Sequence, residues 1–245
     1  MTERMDDIGF GGLKLIQEPE EFCYGVDAVI LADFAAKYAS GKPKSIVDLG
    51  TGTGIIPLIL SYKTQAELIA GVELQQASYE RACRNAEMNR LQERIHFFHS
   101  DVKEAAVGKL AFLKGSADVV TTNPPYMTDT HGLKNPDLPK AIARHEVMCT
   151  LDDVVREGAR VLKPGGRFYM VHRPFRLVEI FQTMTKYKLE PKRMKLVYPM
   201  ADREPNMVLI EGIRGAKSMI KIEKPLIVYE KPGIYTSEIY DIYGY

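Results

Sequence analysis

Cysteine is scarce in this chain, with three in 245 residues at Cys23, Cys83 and Cys149. They lie far apart and make no metal-type spacing, so a reducing compartment fits best. The five histidines show no H-x-x-x-H pattern, and neither a structural nor a catalytic metal is expected. Long apolar runs are missing too. No stretch approaches the ~18 apolar residues of a membrane span. The N-terminus M-T-E-R-M-D-D has no basic-then-apolar signal pattern. The expectation is a cytoplasmic chain with no membrane partner and no obligate protein partner. Internal repeats, low-complexity tracts and a G-x-x-x-x-G-K-[ST] phosphate loop are likewise absent.

What is present suits one substantial core: 45% of residues are apolar and 27% charged. The net charge of +1 conceals an asymmetry. Residues 1–154 hold sixteen Lys/Arg against twenty-two Asp/Glu, whereas residues 155–225 hold sixteen against seven. A polyanion contacted by the later part is one reading, and an ordinary solvated basic surface is the other.

From residue 45 the pattern alternates between short apolar runs and helical periodicity. Strands are expected at S-I-V-D, E-L-I-A-G-V-E, I-H-F-F-H, A-D-V-V-T-T and R-F-Y-M-V-H, and further on at 194–198 and 207–213. Helices are expected at I-I-P-L-I-L-S-Y, over 75–89, at L-D-D-V-V-R-E-G-A-R-V-L and near 176–188. In the helix over 75–89, Cys83, Ala86 and, at the end of the same stripe, Met88 would face inward. Strand–helix alternation with short links means an α/β fold, a parallel sheet with helices on both faces. Residues 1–44 form a segment ahead of a domain over 45–245, the whole being one globular unit. In that segment Asp27 reads as a helix N-cap, with Gly25 in the turn before it. The 28 residues 123–150 are long and rich in turn residues, which marks a functional loop or a disordered one. The tail carries five tyrosines from Tyr229 to Tyr245, which pack as a last strand and helix rather than present aromatics to a ligand.

The first strand closes in V-D-L-G-T-G-T-G. Gly50, Gly52 and Gly54 permit tight turning and close approach of a ligand to the main chain. Their spacing is G-x-G-x-G, not the G-x-G-x-x-G dinucleotide fingerprint. Glu73, at the end of the second strand, is placed to accept from ribose hydroxyls, a role common to NAD and S-adenosylmethionine sites. Asp48 discriminates between them: a carboxylate there repels a pyrophosphate and suits a methionyl ammonium. Asp101, ending the third strand, could accept from an adenine amino group. Leu74 and Val102 follow these acids at the same edge. Turn or helix capping by Asp48 and Asp101 is the plain alternative.

The fourth strand ends in N-P-P-Y. An exocyclic amine on a base is a poor nucleophile because its lone pair is conjugated with the ring. Two acceptors aimed at its hydrogens would favour a pyramidal nitrogen and turn the lone pair towards an electrophile. The Asn123 side chain supplies one acceptor and the Pro124 carbonyl the other. Pro125 stiffens the turn, and Tyr126 can stack on a flipped-out ring. Positioning and preorganisation then do most of the catalysis.

D-L-G-T-G-T-G, Glu73, S-D at 100–101 and N-P-P-Y together resemble the motif series of class I methyltransferases that modify planar amino groups. F-C-Y-G-V-D-A-V-I-L-A at 22–32 resembles the N-terminal motif of the bacterial tRNA (adenine-N6)-methyltransferases that act beside the anticodon of a valine tRNA. A-R-H-E at 143–146, K-P-G-G-R-F at 163–168 and I-V-Y-E-K-P-G-I-Y-T in the tail extend the resemblance over nearly the whole chain. It implies S-adenosyl-L-methionine as cofactor, a tRNA partner, and a Rossmann-like sheet of seven mostly parallel strands whose last strand is antiparallel. It also implies that Tyr24, Gly25, Val26 and Asp27 lie over the methionyl part of the cofactor, and that Arg144 and His145 sit near substrate. Lys192, Arg193 and Lys195 are candidates for phosphate contacts.

Four other functions use parts of this pattern. Glutamine-N5 methylation of a peptide release factor shares N-P-P-Y, but such enzymes usually carry a helical domain where these residues match a cofactor motif. Amino methylation of rRNA or DNA shares the chemistry, although no extra target-reading domain is visible. An inactive cofactor-binding RNA module conflicts with intact Asn123, Pro124 and Tyr126. Failure to bind NAD would remove a dehydrogenase.

Overall fold

The computed structural model describes residues 3–19, 23–39, 41–108, 110–124 and 149–244. Two short strands, β1 (Arg4–Asp7) and β2 (Lys14–Gln17), form an antiparallel hairpin ahead of helix α1 (Val26–Tyr38). The alternation then follows as β3 (Ser45–Leu49), α2 (Ile55–Lys63), β4 (Leu68–Glu73), α3 (Gln76–Met88), β5 (Ile95–His99) and β6 (Ala117–Thr122). After the long segment come α4 (Leu151–Val161), β7 (Leu162–His172), α5 (Leu177–Lys186), β8 (Leu189–Tyr198) and β9 (Met207–Arg214). The tail adds β10 (Lys221–Ile222), β11 (Leu226–Ile227), β12 (Tyr229–Lys231), β13 (Ile234–Tyr235) and α6 (Ser237–Tyr243).

The central sheet runs β10-β8-β9-β7-β6-β3-β4-β5, with β11 also paired to β8. Seven long strands make its body, and of these only β9 is reversed, lying antiparallel to both β7 and β8. The expected sheet of seven with an antiparallel last strand is therefore present, extended to nine by the short β10 and β11. Successive side chains of one strand feed opposite layers, as the period of two requires. Ile46, Ile69, Val119 and Tyr169 pack with α1 and α2, while Val47, Ala70, Val120 and Phe168 pack with α4 and α5. Helix α1 is buried along most of its length and shares the first of these layers, so residues 26–38 are part of the main core.

Four local readings change. Gly25, not Asp27, is the N-cap of α1, which puts Asp27 inside the first turn. Helix α3 buries Ser78, Arg81, Ala82, Asn85 and Ala86, leaving Cys83 half-buried and Met88 beside it. Ala86 faces inward as expected, but the stripe is largely polar because it bears the N-terminal hairpin, so apolar periodicity misses Ser78, Arg81 and Asn85. Strand β8 starts at Leu189, ahead of the expected 194; Pro191 lies at a register shift, where its missing N–H costs no ladder bond. Two more short strands pair beside β8 in the tail. The rest of the tail packs as expected of it: Tyr229, Tyr235, Tyr243 and Phe10 form a stack with ring centroids 5.1, 5.7 and 6.0 Å apart. Among the described residues, no helix is long and apolar enough to cross a membrane.

On β9, Glu211 is 1% exposed and gathers three donors: Arg167, the Tyr169 hydroxyl at 3.1 Å and Arg193 at 3.2 Å. Its removal leaves two guanidinium groups without their shared carboxylate. Glu211→Ala is expected to cost about 3 kcal/mol in urea unfolding, whereas Glu211→Gln retains part of the network and costs less. Equal stability of all three proteins would show that the cluster contributes nothing.

Candidate active site

The site is built where β3, β4, β5 and β6 end on one edge of the sheet. After Leu49 the chain turns through Gly50, Thr51, Gly52, Thr53 and Gly54 into α2. Gly50 and Gly52 have φ of +73° and +56°, and a Cβ at either would meet nothing within 4 Å. The turn thus requires left-handed backbone and leaves open space beside it. Gly54 serves packing instead, since a Cβ there would fall 2.6 Å from the Phe97 ring.

Four polar contacts hold this turn. The N–H groups of Gly50 and Thr51 donate to the Val72 carbonyl at 3.0 and 2.9 Å. Gly52 N–H donates to Glu73 Oε2 at 2.8 Å, and Asn85 Nδ2 donates to the Thr53 carbonyl at 2.9 Å. Glu73 Oε1 accepts from Gln75 N–H at 2.8 Å. Each Glu73 oxygen keeps a second lone pair, so the carboxylate can both staple the turn and accept from a hydroxyl.

Asp48 lies directly beneath the turn with no exposed surface. The Thr121 hydroxyl donates to its Oδ1 at 2.7 Å. The Thr51 hydroxyl, also buried, steadies the carboxylate without the geometry of a full hydrogen bond, and Oδ2 has no full hydrogen bond among the described residues. Burial pushes the Asp48 carboxyl up to about 6, opposed by the Thr121 and Thr51 hydroxyls and aided by the Glu73 charge. An incompletely bonded carboxylate beside an open glycine turn fits a ligand that brings its own polar groups.

The neighbouring strand ends supply the other candidates. Leu74 is half-buried, and its carbonyl meets His99 Nε2 at 2.8 Å. Asp101 caps a short turn, accepting from Lys103 N–H at 2.9 Å, and Val102 is buried behind it. The capping reading of Asp101 thus describes its geometry here.

At the end of β6, Thr122 donates its hydroxyl to the Leu49 carbonyl at 3.0 Å, which ties this strand end to β3. Asn123 follows, and its Nδ2 donates to Asp27 Oδ2 at 3.1 Å. A carboxylate can only accept, so it selects the amide nitrogen and sets which way the amide of Asn123 is turned. Asp27 Oδ1 accepts from Ala28 N–H at 2.9 Å in the first turn of α1, where the helix dipole favours a negative group. A Cβ on Gly25 would sit 2.8 Å from that Oδ1. Tyr24, half-buried, donates its N–H to Gln17 Oε1 at 3.0 Å, and Val26 opens the helix. Pro124 is buried. Pro125, Tyr126, Arg144 and His145 lie outside the described residues.

The structure therefore brings Gly25, Asp27, Asp48, the glycine turn, Glu73 and Asn123 to one sheet edge. It does not bring Lys192, Arg193 and Lys195 there. They lie on β8, four strand positions from β3, a lateral distance of ~19 Å. Lys192 donates to the Lys217 carbonyl at 3.0 Å and Lys195 to Glu238 at 2.6 Å. Arg193 is held by Glu211 and Glu223 and lies 3.9 Å over the Tyr38 ring. Glutamates on adjacent elements claim Arg193 and Lys195, and backbone carbonyls claim Lys192. Thr121, Thr122 and Asn85 were missed by sequence reasoning. The two threonines closing an apolar strand were a usable signal, but Asn85 gave none.

A family model described as methyltransferase small domain matches residues 26–188. The chain belongs to this family. A Parabacteroides distasonis protein named tRNA1(Val) (adenine(37)-N6)-methyltransferase is 30% identical over 188 residues, 76% of this chain and 75% of its own. A Porphyromonas gingivalis W83 protein of the same name is 28% identical over 222 residues, 87% of this chain and 84% of its own. Among solved structures, an Agrobacterium tumefaciens protein titled a predicted O-methyltransferase aligns with a TM-score of 0.69 at 21% identity, over 89% of this chain and 95% of that one. This last likeness concerns the fold.

In this methyltransferase the buried Asp48 makes stability depend on pH. Unfolded, it deprotonates near its ordinary 3.8; folded, near 6. The folded state holds the proton more tightly, so stability falls as pH rises between those values and stays low above them. Asp48→Asn keeps an acceptor for Thr121 and carries no charge. Without ligand it is expected to gain on the wild type by up to ~3 kcal/mol between about pH 4 and pH 7. Thermal unfolding across that range checks it, and a pH-independent difference would contradict it.

Proposed function

We propose that the protein methylates N6 of an adenine in tRNA with S-adenosyl-L-methionine, at the position beside the anticodon of a valine tRNA. One observation carries the chemistry: the Asp27 carboxylate holds the nitrogen of the Asn123 amide, at the strand end adjoining the Asp48 and glycine cradle. The tRNA assignment draws on the names of the relatives and on the motifs at both ends of the chain. With tRNA as substrate, the place of action is the cytoplasm.

The chain's own residues divide the work as follows. Asp48 and the turn through Gly50, Gly52 and Gly54 receive the methionyl end, Glu73 with Leu74 the ribose, and Asp101 with Val102 the adenine of the cofactor. Tyr24, Gly25, Val26 and Asp27, within the segment 1–44, cover it. S-adenosylmethionine supplies a methyl carbon already made electrophilic by its sulfonium. Asn123 Oδ1 and the Pro124 carbonyl accept the two hydrogens of the target amine and direct its lone pair at that carbon. With the cofactor bound, methyl transfer would exchange its carbon–sulfur bond for a carbon–nitrogen bond, and the surplus proton on nitrogen would leave to solvent. Asp27 does not touch the reacting atoms; it is a positioning residue that fixes the turn of the Asn123 amide. Pro125 and Tyr126 complete the motif, the ring stacking on the extruded base. Arg144 and His145 are assigned to the substrate side.

The test is tritiated methyl transfer from S-adenosylmethionine to tRNA from a strain lacking the gene, followed by nucleoside analysis. Label is expected as N6-methyladenosine, and Asn123→Ala is expected to lower kcat by about 10² to 10³. Label only in rRNA, DNA or a release factor would overturn the tRNA reading. Asp27→Ala is expected to cut kcat by about 10², with a smaller rise in KM for the cofactor that it helps to cover. A raised KM for the cofactor with normal kcat would instead place Asp27 on the cofactor.

A further inference from the structure

The reactive edge of the sheet also carries an aromatic ring that the fold leaves uncovered. Strand β7 ends at His172, and the chain turns through Arg173, Pro174, Phe175 and Arg176 before α5. In that turn Phe175 is 73% exposed, and Val178, one turn on, is 71% exposed. Strand β7 is the neighbour of β6, with Met170 opposite Thr122, so the turn stands one strand over from Asn123. The comparably exposed Phe112, at 60%, precedes β6 and so belongs to the opposite edge.

The ring rests on a fixed base. Arg176 is buried and pairs with Glu179 through two bonds of 2.8 and 2.7 Å. Arg173 donates to the Asn206 carbonyl at 2.8 Å, which joins the turn to the 199–206 loop between β8 and β9. In that loop Arg203 is exposed, beside the equally exposed Asp202 and Glu204. A large aromatic held in water by a turn pinned at Arg173 and Arg176 has the make-up of a base-stacking platform. The need for one follows from the chemistry: extruding a base for reaction unstacks its neighbours, and an aromatic face replaces the lost stacking.

We infer that Phe175 receives an unpaired nucleobase next to the one that is methylated. This rests on the tRNA reading above. The experiment compares tRNA binding by filter retention, and methyl transfer, for the wild type and for Phe175→Ala, Phe175→Leu, Phe175→Trp and Phe112→Ala. The alanine and leucine variants at 175 are expected to raise Kd and KM for tRNA about tenfold, with kcat, cofactor binding and thermal unfolding unchanged. Tryptophan restores affinity, and Phe112→Ala behaves as wild type.

Several results would overturn the inference. Leucine binding tRNA as well as phenylalanine would mean that stacking plays no part. Equal weakening by Phe175→Ala and Phe112→Ala would mean that the position is not special. Self-association lost in Phe175→Ala with tRNA affinity intact would assign the ring to a second copy of the chain. A wild type that methylates tRNA while Phe175→Ala is unimpaired sinks this inference alone. A wild type with no tRNA binding sinks the substrate reading together with it.

Discussion

A hydrogen bond between residues 96 positions apart, from the Asn123 amide to the Asp27 carboxylate, is the constraint on which the rest of the site depends. An asparagine amide has two faces of opposite polarity, and nothing in Asn123 itself selects between them. The carboxylate selects. It can do so only because α1 is locked into the main core and because β6 is pinned to β3 by the Thr121 and Thr122 hydroxyls. Gly25 belongs to the same device, since any side chain there would press on the carboxylate. The N-terminal segment is thus a working part of the reactive strand end.

Buried acids elsewhere in the sheet show what is unusual about Asp48. Glu211 is as deeply buried and is met by three donors. Glu73 has a backbone N–H on each oxygen. A carboxylate satisfied in this way is a structural part, and its desolvation is offset by its partners. Among the described residues, Asp48 has one full hydrogen bond, from Thr121, and only the weaker help of the Thr51 hydroxyl besides. Such an incomplete arrangement costs stability in the free protein, and a ligand that brings the missing donor recovers it. The cost falls in the one place where the glycine turn leaves room for a ligand.

Much of this was legible because it depends on local order. Alternating apolar runs with short links can form little except a parallel sheet between helices, and three glycines after a strand mark the turn whichever ligand is bound. The doubled proline after Asn123 says that the strand stops there. Relations between distant segments were not legible. The polar inner stripe of α3 defeats any reading by apolar period, because Asn85 faces inward in order to hold Ile16 and Thr53. Arg193 reads as a phosphate contact until Glu211 and Glu223, 18 and 30 residues on, are folded against it. A cation's partner is a tertiary fact, whereas a glycine's backbone freedom belongs to the residue.

The reversed last strand links the fold to the choice of substrate. Parallel strands must be joined by crossovers, which carry the chain back across a sheet face before the next strand begins. Because β9 runs against β8, the link between them is a hairpin whose loop, 199–206, stays at the reactive edge. Arg173 then joins this loop to the turn that follows β7. The edge therefore has two unlike halves. Strands β3, β4 and β5 end in glycines and acids suited to a small cationic ligand. Strands β7 and β8 end, and β9 begins, in a broader rim with exposed arginine and phenylalanine. Asn123 ends β6, at the boundary between the two, where a methyl group bound on one side and a base presented from the other would meet.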